Sequence, residues 1–246
     1  MNTTPPVVIA VIPARMGSTR FPGKAIASET GTPLVLHVAQ AVRQASTITR
    51  VIVASEDAAI AAVCAAGGVE HIMTRAGHPN GSSRIAEATQ GLEADLILNV
   101  QGDEPEIEQS TIDAVVTALL KDPSAHVSTA STPLTPCDDP ADPNLVKVIV
   151  DCFGHAVYFS RTPIPADRDG VGVLRHRHIG IYAYRPATLA TYADLDPTPL
   201  EQAEQLEQLR LIEHGFTIAV AQVSRSHPGI DTPEQYAEFV ARFNRS

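Results

Sequence analysis

Three cations lie on one glycine-rich loop near the start of an acidic chain. The stretch VIPARMGSTRFPGK, from Val11 to Lys24, holds Arg15, Arg20 and Lys24 and no acid, although the whole chain has a formal net charge of −10. Its prolines and glycines make it a loop rather than a helix. Backbone N–H groups of a loop that follows a strand can bind phosphate oxygens, and the cations can neutralise the phosphate charge. The residues therefore favour a phosphate-binding loop, and the alternative is a surface loop that happens to be basic.

The loop matches neither of the common nucleotide-binding fingerprints. The pattern G-x-x-x-x-G-K-[ST] fails because Ala25 follows Lys24, and the dinucleotide pattern G-x-G-x-x-G is absent. A phosphate ligand would therefore be bound by a loop of another kind.

The elements that must position this loop alternate between strands and helices over roughly the first 130 residues. Apolar, β-branched runs predict strands at Val7–Ile12, Arg50–Ser55, Val69–Met73 and Asp95–Val100. Helical spacing predicts one helix capped by Thr32 and begun by Pro33, one ended by Gly67 and Gly68, one near Arg84–Leu92, and one over STIDAVVTALLKD. Such alternation predicts a doubly wound, mostly parallel sheet with ligands at the carboxyl ends of its strands. The loops at 13–24 and 101–107 lie at such ends.

The second half of the chain changes character. The runs VKVIVD, HAVYFSR and HIGIYAYR predict strands with shorter connections, as in a mixed or antiparallel extension of the sheet. PLEQAEQLEQLRLIEHG predicts one long helix that ends at Gly215, and TIAVAQV predicts a last strand. TPEQYAEFVARF predicts a terminal helix with Thr232 as its cap and Pro233 in its first turn.

We expect one domain over residues 1–246. Its nucleotide-binding half would span about 1–131, and an acceptor and dimerisation portion about 132–225, before the chain returns to the core at 226–246. The Pro- and Asp-rich stretch Thr132–Asn144 is the predicted hinge or subdomain entry.

Composition argues against several classes of protein. The chain has 246 residues, of which 44% are hydrophobic and 19% charged, as in an ordinary globular domain. Three cysteines without a C-x-x-C favour a reducing compartment over a disulfide framework or a zinc site. No run approaches the length of a membrane span, and MNTTPP lacks the basic flank of a secretory signal, so we expect a cytoplasmic protein. The net charge of −10 argues against broad binding to nucleic acid or anionic lipid.

Matching stretches along nearly the whole chain resemble one enzyme family. The chain resembles the cytidylyltransferases that activate 3-deoxy-manno-octulosonate (KDO), which are relatives of the sialate-activating synthetases. The stretches are IPARMGSTRFPGK, MTRAGHPNG, NVQGDEPEI, PNLVKVIVD, YFSRTPIPADRD, RHIGIYAYR, PLEQAEQLEQLR and GIDTPEQ. The resemblance implies an α/β fold like that of nucleotide-diphospho-sugar transferases, with the mixed extension forming the acceptor site and the interface of a homodimer. It also implies that CMP is transferred from CTP to KDO with release of pyrophosphate.

The resemblance implies a nucleotide site on the two loops. Arg15 and Lys24 would act catalytically on the charge of the α-phosphorus and of the departing pyrophosphate, because such transfer needs mainly positioning and charge stabilisation. Asp103, also catalytic, and Asp231 would hold Mg²⁺ against the α-phosphate. Read alone, Asp231 is an ordinary acid at a helix start, and Glu104 is a solvated neighbour. The residues implied to bind the nucleotide are Ala14, Arg15, Gly17, Ser18, Arg20, Lys24, Arg75, Gly81, Ser82 and Gln101.

The resemblance also implies an acceptor site for a sugar acid, whose carboxylate needs a cation and whose hydroxyls need acids and amides. Glu204 and Gln208 are four residues apart on the long predicted helix and would share a face. Read alone, His178 is more often structural, and Glu207 and Gln208 equally suit a solvated helix face. The implied acceptor-binding residues are Arg161, His178, Tyr182, Glu204, Glu207 and Gln208.

Three departures from the family pattern leave the acceptor open. Ser83 stands where the family usually has an acid, Ala166 where it has an aromatic, and Gly170–Arg177 is shorter and more basic. They favour, as an alternative, the same transfer to a smaller or more anionic acid such as a phosphonate carboxylate. A third hypothesis is a non-catalytic nucleotide-binding regulator, which would not need Arg15, Lys24 and both aspartates together.

Overall fold

The computed structural model describes residues 5–225 and 229–245. These residues form two compact units, of which the first holds the residues up to Ile112 and those from Gly229 onward, and the second runs from Asp113 to Arg225. The first four residues of MNTTPP, and residue 226 at which the return to the core was expected, lie outside the described residues. The functional division into a nucleotide half at about 1–131 and an acceptor portion at about 132–225 stays a prediction.

Up to Lys121 the described strands and helices alternate along the chain, as predicted for its first half. The strands are β1 (Val8–Pro13), β2 (Arg50–Ser55), β3 (Glu70–Met73), β4 (Leu96–Asn99), β5 (Val127–Pro133), β6 (Lys147–Val150), β7 (Ala156–Ser160), β8 (His176–Tyr184) and β9 (Ile218–Gln222). The helices are α1 (Leu34–Arg43), α2 (Ala58–Ala66), α3 (Gly81–Ala88), α4 (Gln109–Lys121), α5 (Pro186–Tyr192), α6 (Pro199–Glu204), α7 (Gln208–Glu213) and α8 (Pro233–Phe243). A single turn of 3₁₀ helix covers Lys24–Ile26.

The first unit is built on parallel strands in the order β3-β2-β1-β4. β1 is apolar and buried from Val8 to Ile12, as expected of a strand with a neighbour on each side. A Cβ atom on Gly102 would lie 2.9 Å from the carbonyl oxygen of Pro13, so only glycine fits where the loop after β4 passes the end of β1. The loops that follow β1 and β4 therefore begin side by side, and the predicted α/β fold is confirmed.

The terminal helix α8 brings the end of the chain back to the first unit. Thr232 caps α8 and Pro233 lies in its first turn, as predicted. Apolar residues of α8 pack with Leu34 and Ile230. The backbone N–H of Ile230 donates to the carbonyl oxygen of Asp103 at 2.8 Å. The segment before α8 is thereby fixed against the loop that follows β4.

The second unit contains the predicted mixed extension. β5 pairs antiparallel with β8 and parallel with β9. β6 and β7 form an antiparallel hairpin, and β6 also pairs antiparallel with β8. Antiparallel neighbours need no crossover helix, which explains why β5, β6, β7 and β8 follow one another without helices between them.

The prediction of a single long helix over PLEQAEQLEQLRLIEHG is wrong. The chain forms α6 and α7 instead, and between them Gln205 adopts the left-handed conformation with φ 53°. The carbonyl oxygens of Glu204 and Gln205 accept hydrogen bonds from the guanidinium of Arg161, which gives the carbonyls at the end of α6 a partner. Because the helix breaks here, Glu204 and Gln208 do not share one helical face.

Two elements of the second unit, β5 and α5, were not predicted at all. Polar Ser128, Thr129, Ser131 and Thr132 form the middle of β5, and all four are buried. A strand of this composition shows no apolar run, which is the signal that identified the other strands.

Two predicted helix starts differ from the structure. α1 begins at Leu34, so its N-cap is Pro33 rather than Thr32, and Pro33 is not its first residue. α3 begins at Gly81 rather than near Arg84, because the side chain of Asn80 accepts the N–H of Ser83 and caps the helix there.

None of the described helices is long and apolar enough to cross a membrane.

Candidate functional site

The glycine-rich loop after β1 is folded tightly enough to deliver Lys24 back to the end of the sheet. The carbonyl oxygen of Met16 accepts the N–H groups of Ser18 at 3.0 Å and of Gly23 at 3.1 Å. Gly23 has φ 75°, which a residue with a side chain rarely adopts, and the 3₁₀ turn begins at the next residue. The loop therefore ends with the side chain of Lys24 above the strand ends.

Lys24 lies between the two aspartates that the sequence singled out. Its Nζ donates to Asp103 Oδ2 at 2.8 Å, to the carbonyl oxygen of Ile230 at 2.6 Å and to Asp231 Oδ1 at 3.4 Å. Arg20 Nη2 lies 3.0 Å from Asp231 Oδ2. Only 13% of the Lys24 side chain is exposed, so its ion pair with Asp103 is largely shielded from solvent. In the free protein, two cations and two carboxylates neutralise one another at the end of the sheet.

These residues line a cleft of about 390 Å³ in the first unit. From the residues implied to bind nucleotide or metal, the structure brings together Ala14, Arg15, Ser18, Arg20, Lys24, Gly81, Gln101, Asp103 and Asp231. The lining also includes Thr19, His78, Asn80, Arg84 and Gly102, which sequence reasoning did not single out. Four of the five, all except Arg84, lie inside the stretches that resemble the family, so their position in the sequence could have identified them.

His78 and Arg84 are held rigidly at the edge of this cleft. His78 Nε2 lies 2.7 Å from Glu87 Oε2, and its Nδ1 lies 3.2 Å from Ser83 Oγ. Arg84 is buried and pairs with Glu56. Ser83, the first departure from the family pattern, therefore supports His78 and is not among the residues that line the cleft.

Three residues implied to bind the nucleotide are not among those that line the cleft, and these are Gly17, Arg75 and Ser82. Arg75 has a side chain that is 77% exposed, and its Nε lies 3.1 Å from Glu87 Oε2. The Arg75 side chain is thus engaged on the surface of α3 in the free protein.

The implied acceptor residues Arg161 and Glu204 bind each other in the second unit. Arg161 donates from Nε to the carbonyl oxygen of Glu204 at 2.7 Å, and from Nη1 to that of Pro143 at 2.8 Å. The carboxylate of Glu204 accepts the backbone N–H of Arg161 at 2.9 Å and the hydroxyl of Ser160 at 2.6 Å. Burial alone would raise the pKa of Glu204, but these hydrogen bonds outweigh it and hold the pKa below its usual value. The pair joins the end of β7 to the end of α6.

His178 is a buried, neutral residue of β8. Its ring lies 4.8 Å from that of Phe159 and 5.5 Å from that of Tyr182, and its Nε2 lies 2.9 Å from Thr129 Oγ1. Burial, with a smaller contribution from the charge of Arg177, lowers the pKa of His178 to about 3. At neutral pH this imidazole can form a hydrogen bond with an acceptor substrate, but it carries no positive charge.

The lowered pKa of His178 predicts a pH dependence of stability. The unfolded chain takes up a proton on this residue below pH 6.5, whereas the folded chain does not until about pH 3. Stability should therefore fall as the pH drops below 6.5, by about 2 kcal/mol at pH 5 from this group. Urea unfolding of the wild type and of His178→Gln at pH 7 and pH 5 measures it. The variant should lose about 2 kcal/mol less between the two pH values than the wild type, and equal losses would contradict a buried neutral imidazole.

Gln208 at the start of α7 has an unused polar group. It is 4% exposed, and its Nε2 has no hydrogen-bond partner among residues 5–225 and 229–245. The neighbouring Glu207 Oε2 accepts the hydroxyl of Tyr192 at 3.4 Å. A buried amide donor without a partner is costly, and a bound ligand could supply the missing acceptor.

The donor set at the cleft fits a hard divalent cation only in part. Asp103 and Asp231 supply carboxylate oxygens within 3.4 Å of one nitrogen, the Nζ of Lys24. Among the described residues, no group of three or more histidine, cysteine or acidic side chains could hold a metal ion. A Mg²⁺ ion here would take its remaining ligands from phosphate oxygens and water, which is the manner in which Mg²⁺ usually binds.

Comparison with known proteins agrees with this geometry over nearly the whole chain. The profile of the cytidylyltransferase family matches residues 9–218. The 3-deoxy-manno-octulosonate cytidylyltransferase of Syntrophotalea carbinolica is 44% identical over 238 residues, which cover 92% of this chain and 94% of that protein. The enzyme of the same name from Dichelobacter nodosus is 46% identical over 244 residues, covering 97% and 98% of the two chains.

A solved structure is similar along its entire length. CMP:2-keto-3-deoxy-manno-octonic acid synthetase in complex with CTP superimposes with a TM-score of 0.93 at 37% identity, covering 97% of this chain and 99% of that one. The chain therefore belongs to the cytidylyltransferase family, among the 3-deoxy-manno-octulosonate cytidylyltransferases, and is a nucleotidyltransferase enzyme.

Proposed function

We propose that this enzyme transfers CMP from CTP to KDO and releases pyrophosphate. A hydroxyl oxygen of the acceptor attacks the α-phosphorus of CTP, and the bond from that phosphorus to the oxygen that bridges to the β-phosphate breaks. The observation that carries the proposal is the cleft, in which Arg15, Arg20 and Lys24 face Asp103 and Asp231 at the ends of parallel strands. Such a site offers both cations for phosphate oxygens and carboxylates for a metal, as transfer at phosphorus requires.

The chain's own residues divide the work in this proposal. Arg15 and Arg20 bind and orient the triphosphate, and Lys24 meets charge that develops on the α-phosphate and the leaving pyrophosphate. Asp103 and Asp231 are the residues that would hold Mg²⁺, which when bound neutralises phosphate charge and orients the phosphate oxygens.

The names of the relatives favour KDO as the acceptor. Two of these relatives carry the same name, and this chain matches both almost from end to end. Nothing in the comparisons favours the smaller or more anionic acceptor. The departures at Ala166 and Gly170–Arg177 do not by themselves select another acid. Arg175 Nη2 already donates to the carbonyl oxygen of Pro165 at 3.1 Å, while its buried Nε has no hydrogen-bond partner among the described residues.

We also propose a cytoplasmic homodimer. Large apolar side chains on the second unit support an interface between two copies, since Phe153 is 80%, Leu174 65% and Val157 52% exposed. The free state of all three cysteines, of which Cys137 and Cys152 are exposed, agrees with a reducing compartment. Sedimentation equilibrium should give twice the chain mass of 26.1 kDa.

Pyrophosphate release from CTP tests the proposed function. With Mg²⁺ present, release should require an acceptor, and KDO should support a higher kcat/KM than sialate or a phosphonate carboxylate. Efficient release with another acid and none with KDO would replace the acceptor and keep the chemistry. Binding of CTP without release for any acid would support the regulator hypothesis instead.

Gln208→Leu separates ligand binding from folding on the acceptor side. Because the buried amide lacks a partner, an apolar side chain of similar size should leave the free energy of unfolding unchanged or higher. The KM for KDO should rise about tenfold, since a hydrogen bond to the acceptor is lost, while the KM for CTP stays constant. The exposed Gln202 on α6 provides the matched control, Gln202→Leu. An unchanged KM for KDO in Gln208→Leu would remove Gln208 from the acceptor site.

A further inference from the structure

A backbone hydrogen bond at Met16 attaches the glycine-rich loop to the end of β2, in addition to the contacts that Arg20 and Lys24 make with Asp103 and Asp231. The carbonyl oxygen of Met16 accepts the N–H groups of Ser18 and Gly23, and the N–H of the same residue donates to Asp57 Oδ2 at 2.9 Å. Asp57 lies two residues past the end of β2, on the strand beside β1. One carboxylate thus holds the residue whose carbonyl oxygen closes the loop.

Asp57 gives up its usual role to make this contact. It is the N-cap residue of α2, where an aspartate normally accepts an N–H from the first turn of its own helix, but its side chain makes no such bond. The backbone of Asp57 is held in place, because its N–H donates to the hydroxyl of the buried Ser55 at 3.0 Å. With its backbone held in this way, Asp57 directs its carboxylate to the N–H of Met16 in the loop.

The charge of Asp57 also argues for an indirect role. A carboxylate in contact with a triphosphate would repel it, and Asp57 is not among the residues that line the cleft. Bonded to a backbone N–H beneath the loop, the carboxylate forms a charge-assisted hydrogen bond, which is stronger than a bond between neutral groups.

We propose that Asp57 is a positioning residue for the nucleotide, which acts through Met16 to hold the loop so that Arg15 and Lys24 face the cleft. The inference rests on the proposed function, because it takes the nucleotide as the ligand of the loop. Asp57, which lies between β2 and α2 and outside the cleft lining, would thus affect CTP binding without contacting the nucleotide.

Asp57→Ala removes the acceptor of the Met16 N–H, and Asp57→Asn keeps an oxygen that can accept it. The dissociation constant for CTP, measured by calorimetry, should rise about tenfold in Asp57→Ala and stay within about threefold of wild type in Asp57→Asn. Amide exchange of Ser18 and Gly23 in the nucleotide-free protein should speed up about tenfold in Asp57→Ala, which reports the loop without any ligand.

Asp95 provides a matched control at the opposite end of β1. Its Oδ2 accepts the backbone N–H of Val7 at 2.7 Å, so Asp95→Ala removes the same kind of bond far from the loop. The two alanine variants should lose similar stability to urea, but Asp95→Ala should bind CTP like the wild type.

The inference is overturned if Asp57→Ala binds CTP no more weakly than Asp95→Ala, or if Asn fails to restore what Ala loses. Wild-type protein that does not bind CTP would instead refute the proposed function. In that case exchange at Ser18 and Gly23 still decides whether Asp57 holds the loop.

Discussion

Asp103→Asn should lower kcat/KM by a factor of 10² to 10³, which is the cost of about 3–4 kcal/mol typical for one lost electrostatic group at a transition state. Asp103 lies on the loop that follows β4, and its Oδ2 lies 2.8 Å from Lys24 Nζ. Asparagine has nearly the same shape but no charge, so it removes a negative ligand for Mg²⁺ and leaves packing intact. Asp231→Asn should behave in the same way, because its carboxylate shares the same ammonium.

The matched control for Asp103 is its neighbour in the chain. Glu104→Gln removes one negative charge from the same loop without touching the proposed ligand, and it should change kcat/KM less than about threefold. The variants should be compared at several Mg²⁺ concentrations, with urea unfolding to show that each is folded. Near-normal turnover of Asp103→Asn and Asp231→Asn at saturating Mg²⁺ would rule out the metal assignment.

Lys24→Met should lower kcat about 100-fold while the KM for CTP changes less than about threefold, because a cation that meets developing charge acts mainly in the transition state. Lys24 is the one lysine on the loop, and the chain has only Lys121 and Lys147 besides it. In the free protein its ammonium donates to Asp103, Ile230 and Asp231, so a hydrogen bond to a phosphate requires it to give up one of these three. Methionine keeps the length of the side chain and removes the charge.

The same variant has a consequence that can be measured without turnover. Once the ammonium is gone, the two carboxylates are less neutralised, and Mn²⁺ should bind the nucleotide-free Lys24→Met protein more tightly than the wild type. Electron paramagnetic resonance of free Mn²⁺ gives both affinities. The exposed Lys121 provides the control, since Lys121→Met should change neither kcat nor Mn²⁺ binding. A raised KM with an unchanged kcat would mean that Lys24 binds phosphate only in the ground state.

Much of the first unit could be predicted from sequence because its signals are local. β1 and β4 are continuous apolar runs, and their parallel pairing places the loops at 13–24 and 101–107 at one edge. Thr232 and Pro233 predict the start of α8 from helix-capping preferences alone. Such local signals do not predict that Lys24 contacts Asp231, because the two residues are far apart in the sequence and the second unit lies between them.

The second unit was harder to predict because tertiary contacts decide its local structure. Arg161 takes the carbonyl oxygens of Glu204 and Gln205, and a sequence with strong helical spacing breaks at that point. β5 is buried although it is rich in serine and threonine; the hydroxyl of Ser128, for example, donates to the carbonyl oxygen of Val115 at 2.7 Å. Neither contact leaves a pattern within a short window of sequence.

The central claim is transfer of CMP to KDO, and ³¹P nuclear magnetic resonance of the purified protein with CTP, Mg²⁺ and KDO tests it most directly. We predict that the three triphosphate signals of CTP decline together while one phosphodiester signal and pyrophosphate appear in equal amounts, and that omission of KDO stops the reaction. Persistence of CTP with KDO present, or release of CMP and pyrophosphate at the same rate without KDO, would contradict the account.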